Sequence, residues 1–147
     1  MAPPRIRPSR PGDGERVIAI WRAAVDATHG FLAPGDRIAL DAMVRGFLPQ
    51  APLWLAVDAS DRPLAFMLIE GGHMEALFVD PAHHRAGLGA ALVRHGLARH
   101  PGLTTDVNEQ NGPALRFYER MGFRATGRSP VDGPGRPYPL IHLRHGG

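Results

Sequence analysis

Between Ala76 and Val93 an apolar run ending in Asp-Pro passes through a short turn with two glycines into an amphipathic pattern. The run Ala76-Leu77-Phe78-Val79-Asp80-Pro81 reads as a strand and its exit. After the turn, Leu88, Leu92, Val93 and Leu97 fall on one face of a helix. Strand, glycine turn and helix start together aim several backbone N–H groups at one point. The helix dipole adds positive potential there, so the stretch is suited to hold an anion. Gly87 and Gly89 let the backbone approach a phosphate with no side chain in the way. A plain tight turn, with glycine present for steric reasons, accounts for the same residues. The stretch is not a Walker loop, because no Lys-Ser or Lys-Thr follows. It is a poor dinucleotide fingerprint, because Leu92 stands where the third glycine belongs.

The chain of 147 residues is 44% hydrophobic and 21% charged, which suits one domain over residues 1–147 with a real core. It has no cysteine, which excludes a disulfide frame, a thiolate nucleophile and a cysteine-based zinc site. No apolar run is long enough to cross a membrane, so no membrane partner is expected. The start Met1-Ala2-Pro3-Pro4 lacks the charged and apolar regions of a signal peptide, and a cytoplasmic location is expected. All 17 basic residues are arginine, and the net charge is +3. They are interleaved with acids, which argues against a nucleic-acid-binding stripe, while a modest positive field suits an anionic cofactor.

Along the chain, Ile6 among Arg5, Arg7 and Arg10 suits a short edge strand. Asp13 can cap a helix to about Thr28 that turns Val17, Ile20, Trp21, Ala24, Val25 and Thr28 to one face. Asp36 can cap a second helix with Leu40, Met43, Val44, Phe47 and Leu48 inward, ended by Pro49 and Pro52. Strands are expected at Leu53–Val57, Leu64–Ile69 and Met74–Val79, then the helix of the glycine turn to about Arg99, and a strand at Leu103–Val107. Asn111 can cap the next helix, with Pro113 in its first turn and Gly122 at its left-handed end. Strands at Phe123–Thr126 and Tyr138–Leu143 close the chain, and Pro139 points to an edge. The order β-α-α-β-β-β-α-β-α-β-β implies an α/β (α+β) fold, a central mixed sheet of about seven strands with about four helices on its faces.

That order, with a glycine turn after the fourth strand, resembles the GNAT family of acetyl-CoA-dependent N-acetyltransferases. Val79-Asp80-Pro81 leading into His84-Arg85-Ala86-Gly87-Leu88-Gly89 is similar to the family's R/Q-x-x-G-x-G/A loop. Asn111-Gly112-Pro113-Ala114-Leu115-Arg116-Phe117-Tyr118-Glu119-Arg120-Met121-Gly122-Phe123 resembles its more specific N-x-x-A-x-x-F-Y-x-x-x-G-F signature. Trp21 with Ala27-Thr28-His29-Gly30-Phe31-Leu32 resembles the first-helix exit of one bacterial subset. The resemblance covers nearly the whole chain. His84 stands where the family has Arg or Gln, and Arg85 where glycine is common.

The resemblance implies transfer of the acetyl group of acetyl-CoA to a primary amine, by direct attack through a tetrahedral intermediate. Backbone N–H groups of His84, Arg85, Ala86, Gly87, Leu88, Gly89 and Ala90 would form the pyrophosphate loop. Leu77, Phe78 and Val79 would pair with the pantetheine arm as a strand pairs. That requires the Met74–Val79 and Leu103–Val107 strands to splay at one end. Tyr118 would be the general acid to the CoA thiolate; on spacing alone it is equally a core aromatic beside Phe117. Asn111 is a helix cap or a cofactor contact, and Asn108 a cofactor contact or a turn residue.

Glu75 and His29 are the leading candidates for the base, with ordered water the alternative. Alternation puts Glu75 on the face of Leu77 and Val79, where it lines a cleft or is a paired buried acid. His73 precedes it. Trp21, His29 and Phe31 are candidates for the acceptor site, and Trp54 and Tyr138 could line it; core roles account for the aromatic residues equally. His83-His84 lacks a third ligand, so no metal is expected. His100, His142 and His145 read as surface residues. The partner is then a small-molecule or peptide amine, with the protein a monomer or homodimer. A CoA-binding module without turnover and a basic nucleic-acid binder are the competing functions.

Overall fold

The computed structural model describes residues 4–28, 30, 32–83, 86–133 and 135–146, with the backbone alone for Thr28. Among them run β1 (Arg5–Pro8), α1 (Gly14–Thr28), α2 (Pro34–Phe47), β2 (Trp54–Val57), β3 (Pro63–Glu70), β4 (His73–Val79) and α3 (Leu88–Arg99). β5 (Thr104–Asn108), α4 (Gly112–Arg120), β6 (Phe123–Ser129) and β7 (Leu140–His145) follow. The seven strands make one mixed sheet in the order β1-β2-β3-β4-β5-β7-β6. The element order and mixed sheet expected from the sequence are those observed. The chain divides into two compact units, Met1–Leu68 with Ala76–Arg94, and Ile69–Glu75 with His95–Gly147.

In the first unit β1, β2 and β3 pair antiparallel, Ile6 opposite Ala56 and Leu55 opposite Phe66. β3 is buried from Pro63 to Leu68, the mark of a strand covered on both faces. The apolar spacing of α1 turns Val17, Ile20, Trp21 and Val25 onto Leu53, Leu55, Val57, Phe66 and Leu68. Leu55 and Phe66 are 0% exposed, and burial of side chains of this size is worth about 2 kcal/mol each. Phe78, on the end of β4, adds a ring 5.5 Å from that of Phe66.

Two expected caps are corrected. Asp13 directly precedes α1 and ends a short 3-10 turn, Pro11–Asp13, but its carboxylate is spent elsewhere and does not cap the helix. Its carboxylate accepts the Arg10 N–H at 2.8 Å and the Arg7 guanidinium at 2.9 Å. The buried Arg7 needs that charge more than the helix does. α2 starts at Pro34 with Ala33 as N-cap and no side-chain cap bond; Asp36 lies inside its first turn. Proline suits a helix start because its missing N–H is one the first turn leaves unbonded anyway. The inward stripe of α2 is also narrower than expected. Leu40 and Val44 pack on the core, but Met43 is 52% and Phe47 49% exposed.

In the second unit β4 and β5 run parallel, paired at His73–Thr104 and Met74–Thr105. β7 runs antiparallel to both β5 and β6. It is therefore an interior strand, not the edge that Pro139 suggested. Pro139 precedes the strand and accepts the Glu109 N–H at 2.8 Å, so it has no ladder bond to break. Asn111 caps α4 through Oδ1, which accepts the Ala114 N–H at 3.3 Å. Gly122 ends it at φ +98°, an angle that favours glycine. Tyr118, Phe123, Val107 and Leu143 are buried here.

Candidate active site

The turn after β4 is braced before it begins. The Asp80 N–H donates to the Leu64 carbonyl at 2.9 Å. The Asp80 carboxylate accepts the Ala82 N–H at 3.1 Å and Arg16 Nη2 at 2.6 Å. Arg16 also donates through Nε to the Pro63 carbonyl at 2.8 Å, which joins α1 to the first residue of β3. Burial raises the Asp80 carboxyl, but the hydrogen bonds from Arg16 and Ala82 outweigh it and hold the group below its ordinary value.

From that anchor the chain steps through two short bonds, His83 N–H to Asp80 O at 2.8 Å and Ala86 N–H to His83 O at 3.1 Å. Gly87 then takes φ +73°, with nothing within 4 Å of where a Cβ would sit. The backbone angle, not lack of room, calls for glycine here. The next bond is Ala91 N–H to Gly87 O at 3.0 Å. The N–H groups of Leu88, Gly89 and Ala90 precede it in the first turn and have no acceptor within the helix. Three successive donors at a helix start fit an anionic group such as a diphosphate. Ala86, expected among the donors, already gives its N–H to His83. His84 and Arg85 lie outside the described residues. Leu77, Phe78 and Val79 are half-buried at the end of β4.

In the second unit Tyr118 is 7% exposed on α4. Its ring meets those of Phe117 and Phe123 edge-on, at 5.1 and 5.4 Å between centroids. The hydroxyl has no hydrogen-bond partner among the described residues. Burial pushes its pKa well above the ordinary tyrosine value, so the group stays a proton donor through the neutral range. Asn108 ends β5 opposite Leu140 and leads into the turn: its Oδ1 accepts the Gln110 N–H at 2.9 Å, and its carbonyl accepts the Asn111 N–H at 2.9 Å.

Glu75 is exposed on β4, so the paired-buried-acid alternative falls away. Trp21 is 5% exposed within the core of the first unit, and the Arg37 guanidinium lies 5.0 Å from the centre of its ring. His29 and Phe31 lie outside the described residues. His73, weighed beside Glu75, and His142 and His145, read as surface residues, all have partners. His73 Nδ1 bonds Thr104 and its Nε2 lies 3.3 Å from Asp106, and His142 bonds Asp106 and Ser129. His145 meets the Phe123 ring edge-on at 5.3 Å, and its Nε2 lies 3.1 Å from the Met121 carbonyl. No local pattern announces these links; strand register creates them. Among the described residues no three His, Asp or Glu side chains are placed to hold a metal ion. No described helix is long and apolar enough to cross a membrane.

Residues 49–125, from before β2 into β6, match the family model for the acetyltransferase (GNAT) domain. The chain belongs to the GNAT family. Among other GNAT proteins, it is 56% identical over 138 residues to the peptidyl-lysine N-acetyltransferase YjaB of Salmonella typhimurium, covering 94% of this chain and 95% of that one. It is 53% identical over 142 residues to YjaB of Escherichia coli, covering 97% of each. The solution structure of apo YjaB from Escherichia coli superposes with a TM-score of 0.93 at 52% identity, covering 97% of each chain. This GNAT chain is thus an N-acetyltransferase, an acyl-transferring enzyme with a seven-stranded mixed sheet.

Proposed function

We propose that the enzyme transfers the acetyl group of acetyl-CoA to the side-chain amine of a peptidyl lysine. The observation that carries the donor is the turn at Gly87: a left-handed glycine followed by the N–H groups of Leu88, Gly89 and Ala90 in the first turn of α3. These donors would hold the diphosphate of CoA, with Arg85 adding charge from the same turn. Backbone groups of Leu77, Phe78 and Val79 would bond the pantetheine amides, and a β4 N–H would donate to the oxyanion as the thioester carbonyl is attacked. The acceptor class rests on the two YjaB relatives, both named as peptidyl-lysine enzymes.

In this reading Tyr118 gives its hydroxyl proton to the departing thiolate. The transfer is uphill even at ordinary values, from about 10 for a phenol to about 8.5 for a thiol, so positioning has to supply the difference. Burial raises the Tyr118 pKa and so adds to what positioning must supply, while the hydroxyl has no competing partner among the described residues. The amine loses its own proton to Glu75, to His29 or to ordered water. Asn111 contributes by capping α4 and so orienting the helix that carries Tyr118.

Thermal unfolding with and without acetyl-CoA tests the donor, with NAD and ATP as controls. A ligand at one hundred times its Kd adds about 2.7 kcal/mol to the folded state, so a rise in midpoint confined to acetyl-CoA is expected. No rise at saturating acetyl-CoA overturns the assignment of the glycine turn. A lysine peptide should then release free thiol from acetyl-CoA faster than simple amines do. The reverse order replaces the peptide acceptor with a small molecule.

A further inference from the structure

Five polar side chains form one row across β4, β5, β7 and β6 in the second unit, with Ser129, His142 and Asp106 hydrogen-bonded in series and His73 close by on Thr104. His73 Nδ1 lies 2.7 Å from Thr104 Oγ1, and His73 Nε2 lies 3.3 Å from Asp106 Oδ2. The other carboxylate oxygen, Asp106 Oδ1, lies 2.6 Å from His142 Nδ1. His142 Nε2 lies 2.7 Å from Ser129 Oγ. Strand register sets the row. Asp106 is directly opposite His142, His73 opposite Thr104, and Ser129 opposite Leu140, two residues before His142 on β7.

With Asp106 Oδ1 accepting from His142 Nδ1–H, the His142 Nε2 lone pair faces the Ser129 hydroxyl. Serine oxygen to Nε2, and Nδ1 to carboxylate, is the order in which a histidine acts as base toward a nucleophile. Asp106 and His142 keep 35% and 36% of their side-chain surface exposed, so a small reagent can reach the row.

We propose that Ser129, His142 and Asp106 form an acyl-transfer triad, separate from the acetyl-CoA reading, with Ser129 as the nucleophile toward activated aryl esters and fluorophosphonates. Ser129 Oγ attacks the carbonyl carbon while its proton passes to His142 Nε2. The bond from that carbon to the aryl oxygen breaks, and the phenol leaves with the proton from His142. Water, deprotonated by His142, then releases the acid and restores the serine. With a fluorophosphonate the same attack forms an oxygen–phosphorus bond and expels fluoride, and the adduct stays. Asp106 holds the ring of His142 in the working tautomer, and His73 with Thr104 holds Asp106; these three are positioning residues.

The test incubates the full chain with a fluorophosphonate probe and follows intact mass, then maps the adduct by peptide sequencing. One adduct per chain at Ser129 is expected, forming faster than any adduct at Ser60, the exposed serine of the β2–β3 turn. Ser129→Ala should abolish it. His142→Gln and Asp106→Asn should each slow it by roughly 100-fold or more, with thermal unfolding confirming that the variants are folded. A wild-type chain in which Ser129 labels no faster than Ser60 overturns the proposal without recourse to any variant. So does unchanged labelling in a folded His142→Gln. Hydrolysis of p-nitrophenyl acetate that tracks the labelling rate across the same variants is the expected companion result, and turnover unaffected by Ser129→Ala counts against it.

Discussion

Arg16 on α1 and Asp80 at the exit of β4 meet at 2.6 Å, with side chains only 20% and 15% exposed. The pair fixes the residue from which the glycine turn departs, so it links the packing of α1 to the donors of the turn. Asp80→Asn keeps the shape but loses the charge, and should cost about 1–2 kcal/mol at neutral pH. Asp80 is held below its ordinary value when folded. Its contribution is therefore present above the unfolded value, near ~4, and is lost as pH falls through the folded value. Urea unfolding of both proteins at pH 7 and pH 3 should show the gap closing in acid. A gap that stays constant removes Asp80 as its source.

Tyr118→Phe separates turnover from binding. The hydroxyl has no partner among the described residues, so its removal should leave the unfolding midpoint close to that of the wild type. Loss of a general acid should lower kcat by about 10²–10³-fold, with acetyl-CoA affinity within about 2-fold. An unchanged kcat excludes Tyr118 from the chemistry. Undetectable turnover in the wild type, with CoA binding intact, favours a binding module.

The features legible in the sequence are those that depend on local backbone demands. Gly87 and Gly122 both adopt positive φ where the pattern requires a turn, and Asn111 caps the helix it precedes. The β-α order followed from hydrophobic period together with caps, prolines and glycines at the breaks. What was not legible depends on partners distant in the chain. Asp106 and His142 are 36 residues apart, and Ser129 and His142 are 13 apart; only the order β5-β7-β6 brings them together. Asp13 looked like a cap because nothing local shows that Arg7 is buried and needs a counter-charge. Met43 and Phe47 fit an inward helical stripe, yet they face out because Leu40 and Val44 already supply the contact with the core.

Gly87→Ala tests whether backbone angle sets the turn. No atom obstructs the new methyl group, so the penalty is that of a left-handed alanine, about 1 kcal/mol. If the first turn of α3 holds the diphosphate, the strained variant should also bind acetyl-CoA more weakly, by about 5-fold for each ~1 kcal/mol that binding must restore. Isothermal titration beside thermal unfolding reads both effects. Loss of stability with unchanged affinity leaves Gly87 a steric turn residue.

Arg7 offers the sharpest test of the first unit's charge network. It is 8% exposed. Its Nη1 and Nη2 donate to Asp13 at 2.9 and 3.1 Å, and its Nε to Asp61 at 2.9 Å. The hydrogen bond from Arg7 is the leading cause that holds the Asp13 carboxyl below its ordinary value, against a burial effect that raises it. Arg7→Met therefore leaves Asp13, itself 13% exposed, as an uncompensated charge, which should cost about 3 kcal/mol at pH 7. Adding Asp13→Asn removes that charge, so the double variant should be more stable than Arg7→Met alone. Lowering the pH has the same effect. A carboxyl depressed in the folded state stabilises above its unfolded value and ceases to do so once protonated, so the cost of Arg7→Met should shrink below about pH 4. Denaturant curves for the wild type, both single variants and the double variant at pH 7 and pH 3 complete the cycle. Equal loss in single and double variants at both pH values would mean that Arg7 stabilises by packing its stem, not by its charge.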